Sequence, residues 1–235
     1  MRMKLARPDV FHPRIVLAGC PTRVSGDRDD AGLVAALGRR GLNARWLSWD
    51  DPQTAQANLV ILRDTRDHAR RSDEFLSWMR RMPNVLNAPD VVAWNLNPRY
   101  REDLAGDGVP IAPPAAEPDT ALVFFGAEQS HAFEWRDGGW AQDEADFEAW
   151  DVGYSALFRA ADRVGVNASE LLYARAHMSE NRLLELQLVD PCLGWRDLDD
   201  GTAELAQRGF AQCVESACER LGLGPFSHRF PQRGP

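Results

Sequence analysis

Lysine is almost absent from this chain of 235 residues. Lys4 is the only lysine, and the rest of the 27 lysine and arginine residues are arginine. Enzymes use internal lysines to clamp phosphates or to form Schiff bases with carbonyl substrates. The sequence beyond Lys4 therefore excludes Schiff-base chemistry and a phosphate-clamping lysine, although arginine can still bind phosphate.

Long hydrophobic runs are also missing. No stretch reaches the length of a membrane span, and residues 1–13 are basic and broken by two prolines, unlike a signal peptide. We therefore expect a cytoplasmic protein without a membrane partner. The formal net charge of −8 argues against a nucleic-acid partner, and 44% hydrophobic residues suffice to fill one large or two small domains.

Cysteine is scarce and has no metal-ligand spacing. The four cysteines are Cys20, Cys192, Cys213 and Cys218. In a cytoplasmic protein we expect them to be reduced. Cys20 ends a predicted strand, where a nucleophile could lie, but no histidine or other base stands near it in the sequence. A glycine fingerprint for a dinucleotide and a P-loop are both missing as well.

The first part of the chain alternates apolar runs typical of buried strands with segments of helical apolar spacing. Strands are predicted at 14–20, 43–49, 58–63, 85–86 and 109–112, and helices from 27–30, from Ser72 as N-cap, from Pro89 and at 99–104. This order predicts a doubly wound parallel sheet, which is an α/β arrangement.

Ligands of such a sheet bind beyond the carboxyl ends of its strands. Arg63, Asp64 and Asp67 follow the third predicted strand. They are therefore candidate residues on a substrate side. A surface ion-pair cluster explains the same three residues nearly as well.

The second part of the chain has a different pattern. Residues 110–118 are rich in proline and predict a linker. Beyond them we predict a hairpin of 121–125 and 130–136 around Gly126, a surface loop at 140–150, a helix at 154–164, a second hairpin, and a helix at 202–221. This is an antiparallel sheet with helices, an α+β arrangement. The tail 225–235 is expected to be loosely attached.

The second hairpin, with predicted strands 171–177 and 183–189, has a polar side and an apolar side. Side chains alternate faces along a strand, so Arg175 and His177 share one face and Glu185 and Gln187 share one face of the return strand. A short turn at 179–181 with an odd number of residues would place all four on the same side of the sheet. Such a cluster is either a site or a satisfied polar patch, because cross-strand polar pairs also stabilise sheets.

Five stretches of the chain resemble the ATP-grasp superfamily, in particular its bacterial glutathione-synthetase-like and RimK-like members. They include DDAGLVAALGRRGLNARWLSWDDP, LVILRDTRDHARRSDEFLSWMRR, ALVFFGAEQSHAF and LLYARAHMSENRLLELQLVDPCL, and they follow the family's order. The resemblance implies a pre-ATP-grasp domain at 1–112, a linker at 113–120 and an ATP-grasp-like module at 121–224. The chemistry it implies is phosphorylation of a carboxylate by ATP, followed by attack of an amine on the acyl phosphate.

The sequence departs from that pattern where the nucleotide would be held. The family places a whole subdomain, which covers ATP and supplies a lysine, between the positions of Pro114 and Ala121, and here only a few residues fill the gap. His177 and Gln187 stand where the resemblance implies acidic residues. A neutral glutamine and a histidine are poor ligands for Mg²⁺, and loss of one charge-stabilising contact costs about 10²–10³ in rate.

The leading hypothesis is a pseudoenzyme: a degenerate ATP-grasp-like protein without ATP-dependent ligase activity, retained to bind a small molecule or a protein. No cofactor and no metal are expected, with Glu185 and Asp190 as weak metal candidates, and no catalytic residue is assigned. The residual nucleotide or metal site implied by the resemblance consists of Arg175, His177, Glu185, Gln187 and Asp190.

Asn95 and His131 join Arg63, Asp64 and Asp67 as substrate-side candidates. Asn95 lies in the family-like stretch AWNLNPRY, where stabilising a turn or helix end is the alternative role. His131 could be a ligand-facing base, whereas a histidine in a hairpin is more often simply hydrogen-bonded.

Two further hypotheses stay open. A minimal active ligase would hold Mg·ATP with Glu185, Asp190 and Arg175, under a lid donated by a second chain. An interaction subunit would instead use exposed tryptophans to dock a partner, and a homodimer is possible. The alternative for the tryptophans is that they pack the two domains together.

Overall fold

The computed structural model describes residues 12–224, and its first part forms a four-stranded parallel sheet of order β2-β1-β3-β4. The strands are β1 (Ile15–Gly19), β2 (Ala44–Ser48), β3 (Leu59–Asp64) and β4 (Val85–Leu86). The helices are α1 (Leu33–Arg39), α2 (Ser72–Arg81), α3 (Pro89–Asn95) and α4 (Tyr100–Gly106).

Helices cover both faces of the parallel sheet because its strands are apolar on both faces. Leu17 and Ile61 pack with Leu37 of α1 on one face. On the other face, Val16 and neighbouring strand residues pack against Phe75 of α2. This burial on both sides is typical of parallel sheets in α/β proteins and confirms the predicted doubly wound arrangement.

The second part forms a five-stranded antiparallel sheet of order β7-β6-β5-β8-β9. Its strands are β5 (Thr120–Phe125), β6 (Glu128–Arg136), β7 (Gly139–Asp143), β8 (Tyr173–Ser179) and β9 (Arg182–Gln187). Its helices are α5 (Phe147–Val164) and α6 (Asp200–Arg220). The predicted α/β plus α+β fold class is therefore confirmed.

Tight turns fix the register of the antiparallel sheet. Glu180 and Asn181, which connect β8 to β9, have φ angles of 49° and 55°. Two consecutive residues with positive φ match the twist of antiparallel strands and give a two-residue hairpin. On the opposite side, α5 lies close on β5: a Cβ at Gly153 would be 2.8 Å from the ring of Phe124, so only glycine permits this packing.

Three local predictions were wrong. Residues 109–112 form no strand; only Ile111 makes an isolated bridge to Leu183. Residues 140–150 are not a loop, because they include most of β7 and the start of α5. Ser72 begins α2 but does not cap it, since Arg71 is the N-cap residue and no side chain accepts a capping hydrogen bond there.

Asn87 and Tyr173 tie the parallel sheet to the antiparallel sheet. The amide of Asn87 donates to the carbonyl oxygens of Tyr173 at 3.0 Å and Leu188 at 2.8 Å, and its oxygen accepts from the Leu172 amide at 2.7 Å. The Tyr173 hydroxyl lies 2.7 Å from the carbonyl oxygen of Leu62 in β3. These buried contacts fix the strand ends of one sheet against a face of the other.

The connection from α4 to β5 is short. Residues 107–119 contain no helix and no strand, only the isolated bridge at Ile111. This is the segment in which the resemblance to ATP-grasp proteins places a nucleotide-covering subdomain. In addition, none of the helices in residues 12–224 combines the length and apolar character needed to cross a membrane.

Candidate functional site

A cavity of about 610 Å³ lies between the two sheets. Its walls include the carboxyl end of β3, the polar face of β8 and β9, and the segment that follows β9. The five residues predicted as a residual nucleotide or metal site all line it: Arg175, His177, Glu185, Gln187 and Asp190. The face predicted from the β8–β9 alternation therefore opens onto a cleft and is not filled by side chains.

The register of β8 and β9 brings the four polar residues of that face together. Arg175 is paired with Gln187, and His177 with Glu185. His177 Nδ1 lies 3.2 Å from a carboxylate oxygen of Glu185, and the Gln187 amide donates to the same carboxylate at 3.0 Å. The hydrogen bond from His177 holds the pKa of Glu185 below its usual value.

Trp140 of β7 completes this wall. Its ring stacks on the His177 ring with centroids 5.4 Å apart and an angle of 18°. The Arg175 guanidinium lies 5.1 Å from the Trp140 centroid and 5.5 Å from that of Phe133. Arg175 is buried and donates to the Cys192 carbonyl oxygen at 2.8 Å, and burial lowers the pKa of its guanidinium. The Trp140 ring is therefore in contact with both His177 and Arg175 of this wall.

The opposite wall, at the end of the parallel sheet, has a buried ion pair. Arg63 donates from Nε and from a terminal nitrogen to Asp30 at 3.1 and 2.9 Å, and it also donates to the Pro191 carbonyl oxygen at 3.0 Å. Both side chains are almost completely buried. Burial raises the pKa of Asp30 to about 6, against the opposing effect of Arg63.

Asp64 and Asp190 extend this wall. Asp64 accepts from Arg66 at 2.5 Å. Asp190 accepts from both the amide and the hydroxyl of Thr65, at 2.7 and 3.1 Å, and burial raises the pKa of Asp190. Asp190 therefore connects the strand end of the parallel sheet to the segment after β9, whereas Oδ2 of Asp64 has no hydrogen-bond partner among residues 12–224.

Four buried polar atoms of cavity-lining residues lack a hydrogen-bond partner within the described part of the chain. They are one terminal nitrogen of Arg63, Oδ2 of Asp64, Nε of Arg175 and Nε2 of His177. An unsatisfied buried polar group costs about 1–3 kcal/mol. Their concentration around one cavity indicates that water or a ligand completes these hydrogen bonds.

Asp67, Asn95 and His131 are the remaining substrate-side candidates, and each is hydrogen-bonded to another part of the protein. Asp67 does not line the cavity; it accepts from the Trp49 indole at 2.8 Å. Asn95 borders the cavity, but its amide is occupied with the β9 backbone, donating to the Leu186 carbonyl oxygen at 2.8 Å and accepting from the Leu188 amide at 2.9 Å.

His131 lies behind the cavity wall. Its Nε2 donates to the Leu193 carbonyl oxygen at 2.6 Å, so its Nδ1 accepts from the Ser130 hydroxyl at 2.8 Å. Burial lowers the pKa of His131 to about 4, and the ring is neutral at pH 7. This is a structural arrangement, because both ring nitrogens are used inside the protein.

The sequence reasoning missed Asp29, Asp30 and Trp140 as residues of this cleft. Asp29 accepts from the amides of Gly194 and Arg196 at 2.9 and 3.0 Å. Asp29 and Asp30 follow the first strand of the parallel sheet, so the rule that ligands bind beyond the strand ends could have found them. Trp140 had no such signal, because its segment was predicted to be a loop.

The cavity lining is acidic. Seven carboxylates face three arginines (Arg63, Arg66 and Arg175). The carboxylates belong to Asp27, Asp29, Asp30, Asp64, Glu185, Asp190 and Asp197. With neutral histidines, the lining therefore has a formal excess of four negative charges.

The lining carboxylates are spread over the walls of the cavity. Mg²⁺ requires several oxygen ligands in octahedral geometry. In residues 12–224, no three His, Cys, Asp or Glu side chains converge as a group that could hold a metal ion. One oxygen of Glu185 contacts both His177 and Gln187, and one oxygen of Asp190 accepts from Thr65.

Sequence comparison finds similarity over part of the chain. Residues 15–87 match the family described as the N-terminal domain of D-cycloserine synthetase DcsG. The chain is 32% identical over 92 residues to the cycloserine biosynthesis protein DcsG of Streptomyces lavendulae. This match covers 37% of the chain and only 31% of that relative's length.

Structural comparison extends the similarity to most of the chain. The crystal structure of D-cycloserine synthetase DcsG matches with a TM-score of 0.72 and 20% identity, over 88% of this chain and 99% of that one. The ATP-grasp ligase PsnB, complexed with a minimal precursor, Mg and ADP, gives 0.55 and 16%, over 85% and 98%. D-alanine–D-alanine ligase from Bacillus anthracis, complexed with ATP, gives 0.58 and 8%, over 90% and 98%. Identities this low show a shared fold and nothing more.

Proposed function

We propose that this chain, which has the ATP-grasp ligase fold, is a degenerate member of that group. It binds a small amine-bearing molecule in the cleft between its two sheets. It does not perform ATP-dependent ligation. The acidic lining of the cleft carries this proposal. The fold is the one shared with the similar ligases, and the side chains that line this cleft determine which ligand it binds.

Charge favours a cationic ligand over a nucleotide. A triphosphate brings several negative charges, and a cleft with an excess of carboxylates repels them unless fixed cations or Mg²⁺ cancel the charge. Arg63 and Arg66 are already paired with Asp30 and Asp64. Arg175 is left as the lining arginine without a carboxylate partner, and it donates to a backbone carbonyl.

The short 107–119 connection supports the same proposal. Phosphoryl transfer depends on positioning and on exclusion of water from the reacting phosphate. None of residues 107–119 lines the cavity. A ligand in the cavity is therefore not covered by this segment, which a binding protein for a small molecule tolerates and a ligase does not.

Thermal unfolding tests the loss of nucleotide binding. A ligand at about 100 times its Kd stabilises a protein by about 2.7 kcal/mol, which raises the Tm of a chain this size by roughly 5–10 °C. We expect no shift with Mg·ATP or with a nonhydrolysable analogue. An Mg-dependent shift of this size would overturn the proposal.

Putrescine and succinate test the sign of the ligand charge, because both are four-carbon chains with charged ends. We expect calorimetric binding or a Tm shift with putrescine and none with succinate. Glu185→Gln should weaken putrescine binding by about threefold to tenfold, because one carboxylate contact of this kind is worth about 1 kcal/mol. Glu204→Gln, on the exposed side of α6, is the matched control and should bind like the wild type. Preference for succinate would contradict the proposal.

A minimal active ligase is the second candidate, and one observation favours it: Arg175 and Glu185 both face an open cleft of about 610 Å³. Release of ADP in the presence of small carboxylates and amines would support it. Abolition of that release by Glu185→Gln, with retention by Glu204→Gln, would locate the reaction in this cleft.

A further inference from the structure

Each wall of the cleft has one hydrogen-bond donor and one acceptor that lack a partner in the described part of the chain. On the antiparallel wall they are Nε of Arg175 and Nε2 of His177. On the parallel-sheet wall they are a terminal nitrogen of Arg63 and Oδ2 of Asp64, and this oxygen lies 3.6 Å from Nε of Arg23. The antiparallel pair is therefore the less compensated of the two.

Arg175 and His177 lie side by side. They are two positions apart in β8, so their side chains leave the same face of the strand at about 7 Å from each other. The Trp140 ring contacts both of them, with centroid distances of 5.1 Å to the guanidinium carbon and 5.4 Å to the imidazole. The two unpartnered nitrogens thus belong to one small region of the cavity wall, which we call the Arg175–His177 subsite.

The chemistry of the two side chains decides which nitrogen donates and which accepts. Nδ1 of His177 lies 3.2 Å from a carboxylate oxygen of Glu185, and an ionised carboxylate can only accept, so Nδ1 carries the hydrogen. In the neutral ring Nε2 is then an acceptor. Nε of Arg175 can only donate, because a guanidinium has no acceptor. The subsite therefore presents one donor and one acceptor.

A hydroxyl group is complementary to this pair, because its oxygen accepts one hydrogen bond and donates another. An ammonium only donates and an ionised carboxylate only accepts, so each would satisfy one nitrogen and leave the other. A carboxylate also meets negative charge at this position. The carboxylates of Asp29 and Asp197 already oppose the lowering of the Arg175 pKa by burial, so a further anion would be repelled by them.

We propose that the Arg175–His177 subsite binds a hydroxyl group of the ligand, so that the amine recognised by the cleft belongs to an amino alcohol. This inference rests on the proposed function, in which carboxylates of the cleft hold the amine. Arg175 donates from Nε to the hydroxyl oxygen, and the hydroxyl donates to Nε2 of His177. Glu185 and Trp140 are positioning residues, because the hydrogen bond to Nδ1 and the stacking keep the imidazole in the orientation in which Nε2 accepts.

Butylamine, 4-aminobutan-1-ol and 4-aminobutanoate test the inference, because they share a protonated amine on a four-carbon chain and differ only at the other end. Calorimetry at pH 7 gives the three dissociation constants. The alcohol should bind about threefold to tenfold tighter than butylamine, as expected for one hydrogen-bonded group of this kind. The carboxylate should bind more weakly than the alcohol.

Arg175→Lys and His177→Phe each remove one atom of the subsite. The first keeps the positive charge and loses the Nε donor, and the second keeps a ring beside Trp140 and loses the Nε2 acceptor. Each should bring the ratio of the butylamine and 4-aminobutan-1-ol dissociation constants to about one. The matched control is Arg163→Lys, which changes an arginine that is paired with Asp107 and does not line the cavity. It should keep the wild-type ratio, and the Tm of each variant shows whether it is folded.

The outcomes separate this inference from the function on which it rests. Equal binding of butylamine and 4-aminobutan-1-ol to the wild type would overturn the inference alone, because water would then be the only occupant of the subsite. Tightest binding of 4-aminobutanoate would overturn it too, since the subsite would then be an anion site. A wild-type ratio in folded Arg175→Lys and His177→Phe would place the hydroxyl elsewhere and reject the assignment. Absence of binding by butylamine, 4-aminobutan-1-ol and putrescine would overturn the proposed function and the inference together.

Discussion

The two walls of the cleft use charged residues in different ways. On the parallel-sheet wall, the side chains of Arg63 and Asp30 are 1% and 2% exposed and bond to each other. On the antiparallel wall, Glu185 is 49% exposed and its partner His177 is 16% exposed. The first wall has charges that the fold itself requires, and the second has charges that remain within reach of a ligand.

This difference follows from the cost of burying charge. A buried ion contributes to stability only with a partner, and removing one partner leaves an uncompensated charge in the interior. A half-exposed pair is solvated by water and contributes little. Substitutions on the parallel-sheet wall should therefore change stability, and substitutions on the antiparallel wall should change binding.

Asp30→Ala should have the largest effect. It leaves Arg63 buried without its carboxylate, and the free energy of unfolding should fall by about 3–5 kcal/mol. Urea denaturation measures this change, and Asp27→Ala, which removes a more exposed carboxylate from the same loop, should cost less than about 1 kcal/mol. Equal effects of the two substitutions would show that burial does not distinguish them.

Asn87→Ala should cost about 3 kcal/mol, because it leaves three buried backbone groups of the antiparallel sheet without their partner. Asn97→Ala is the control, since Asn97 accepts one exposed hydrogen bond from the Arg99 amide. Urea denaturation of both variants gives the comparison. A cost below about 1 kcal/mol for Asn87→Ala would contradict its role in joining the sheets.

His131 should make stability depend on pH. Its folded pKa of about 4 lies below the ordinary 6.5, so the unfolded chain takes up the proton first as the pH falls. The stabilising contribution is complete above pH 6.5 and is lost toward pH 4, with a loss of about 2 kcal/mol between pH 6.5 and 5. His131→Gln keeps a donor for the Leu193 carbonyl oxygen and should remove this part of the pH dependence. Parallel pH profiles for the two proteins would contradict the prediction.

Glu185→Gln should have the smallest effect on stability, below about 1 kcal/mol at pH 7, because its carboxylate is half exposed. The pKa of Glu185 is lowered in the folded state, so its small contribution is present above its unfolded pKa and is lost as the pH falls through the folded value. The same urea series measures it. A loss as large as that of Asp30→Ala would erase the difference between the two walls.

The sequence was sufficient to predict features that depend only on neighbouring residues. Alternation along β8 and β9, together with a short turn, predicted that Arg175, His177, Glu185 and Gln187 share a face, because strand periodicity depends only on neighbouring residues. The sequence left open whether this face is a site or a satisfied polar patch, because the opposing wall of the cleft comes from the distant parallel sheet.

The sequence was not sufficient where a contact joins distant parts of the chain. Asp29 binds the amides of Gly194 and Arg196, which are 165 and 167 positions away. Nothing near Asp29 in the sequence indicates those partners. The error at 140–150 has a different cause: β7 is a short edge strand whose residues are mostly half-buried, so it lacks a clear alternation.

Asn95 covers part of the outer edge of the antiparallel sheet, along β9. Its amide group donates to and accepts from the outer backbone of β9, which is what another strand would do at that position. Tyr100 and residues 110–112 form hydrogen bonds with further backbone groups of the same edge. A peptide or a second molecule therefore finds few open backbone groups there, so this side of the sheet resists the strand-by-strand growth from which fibrous aggregates form.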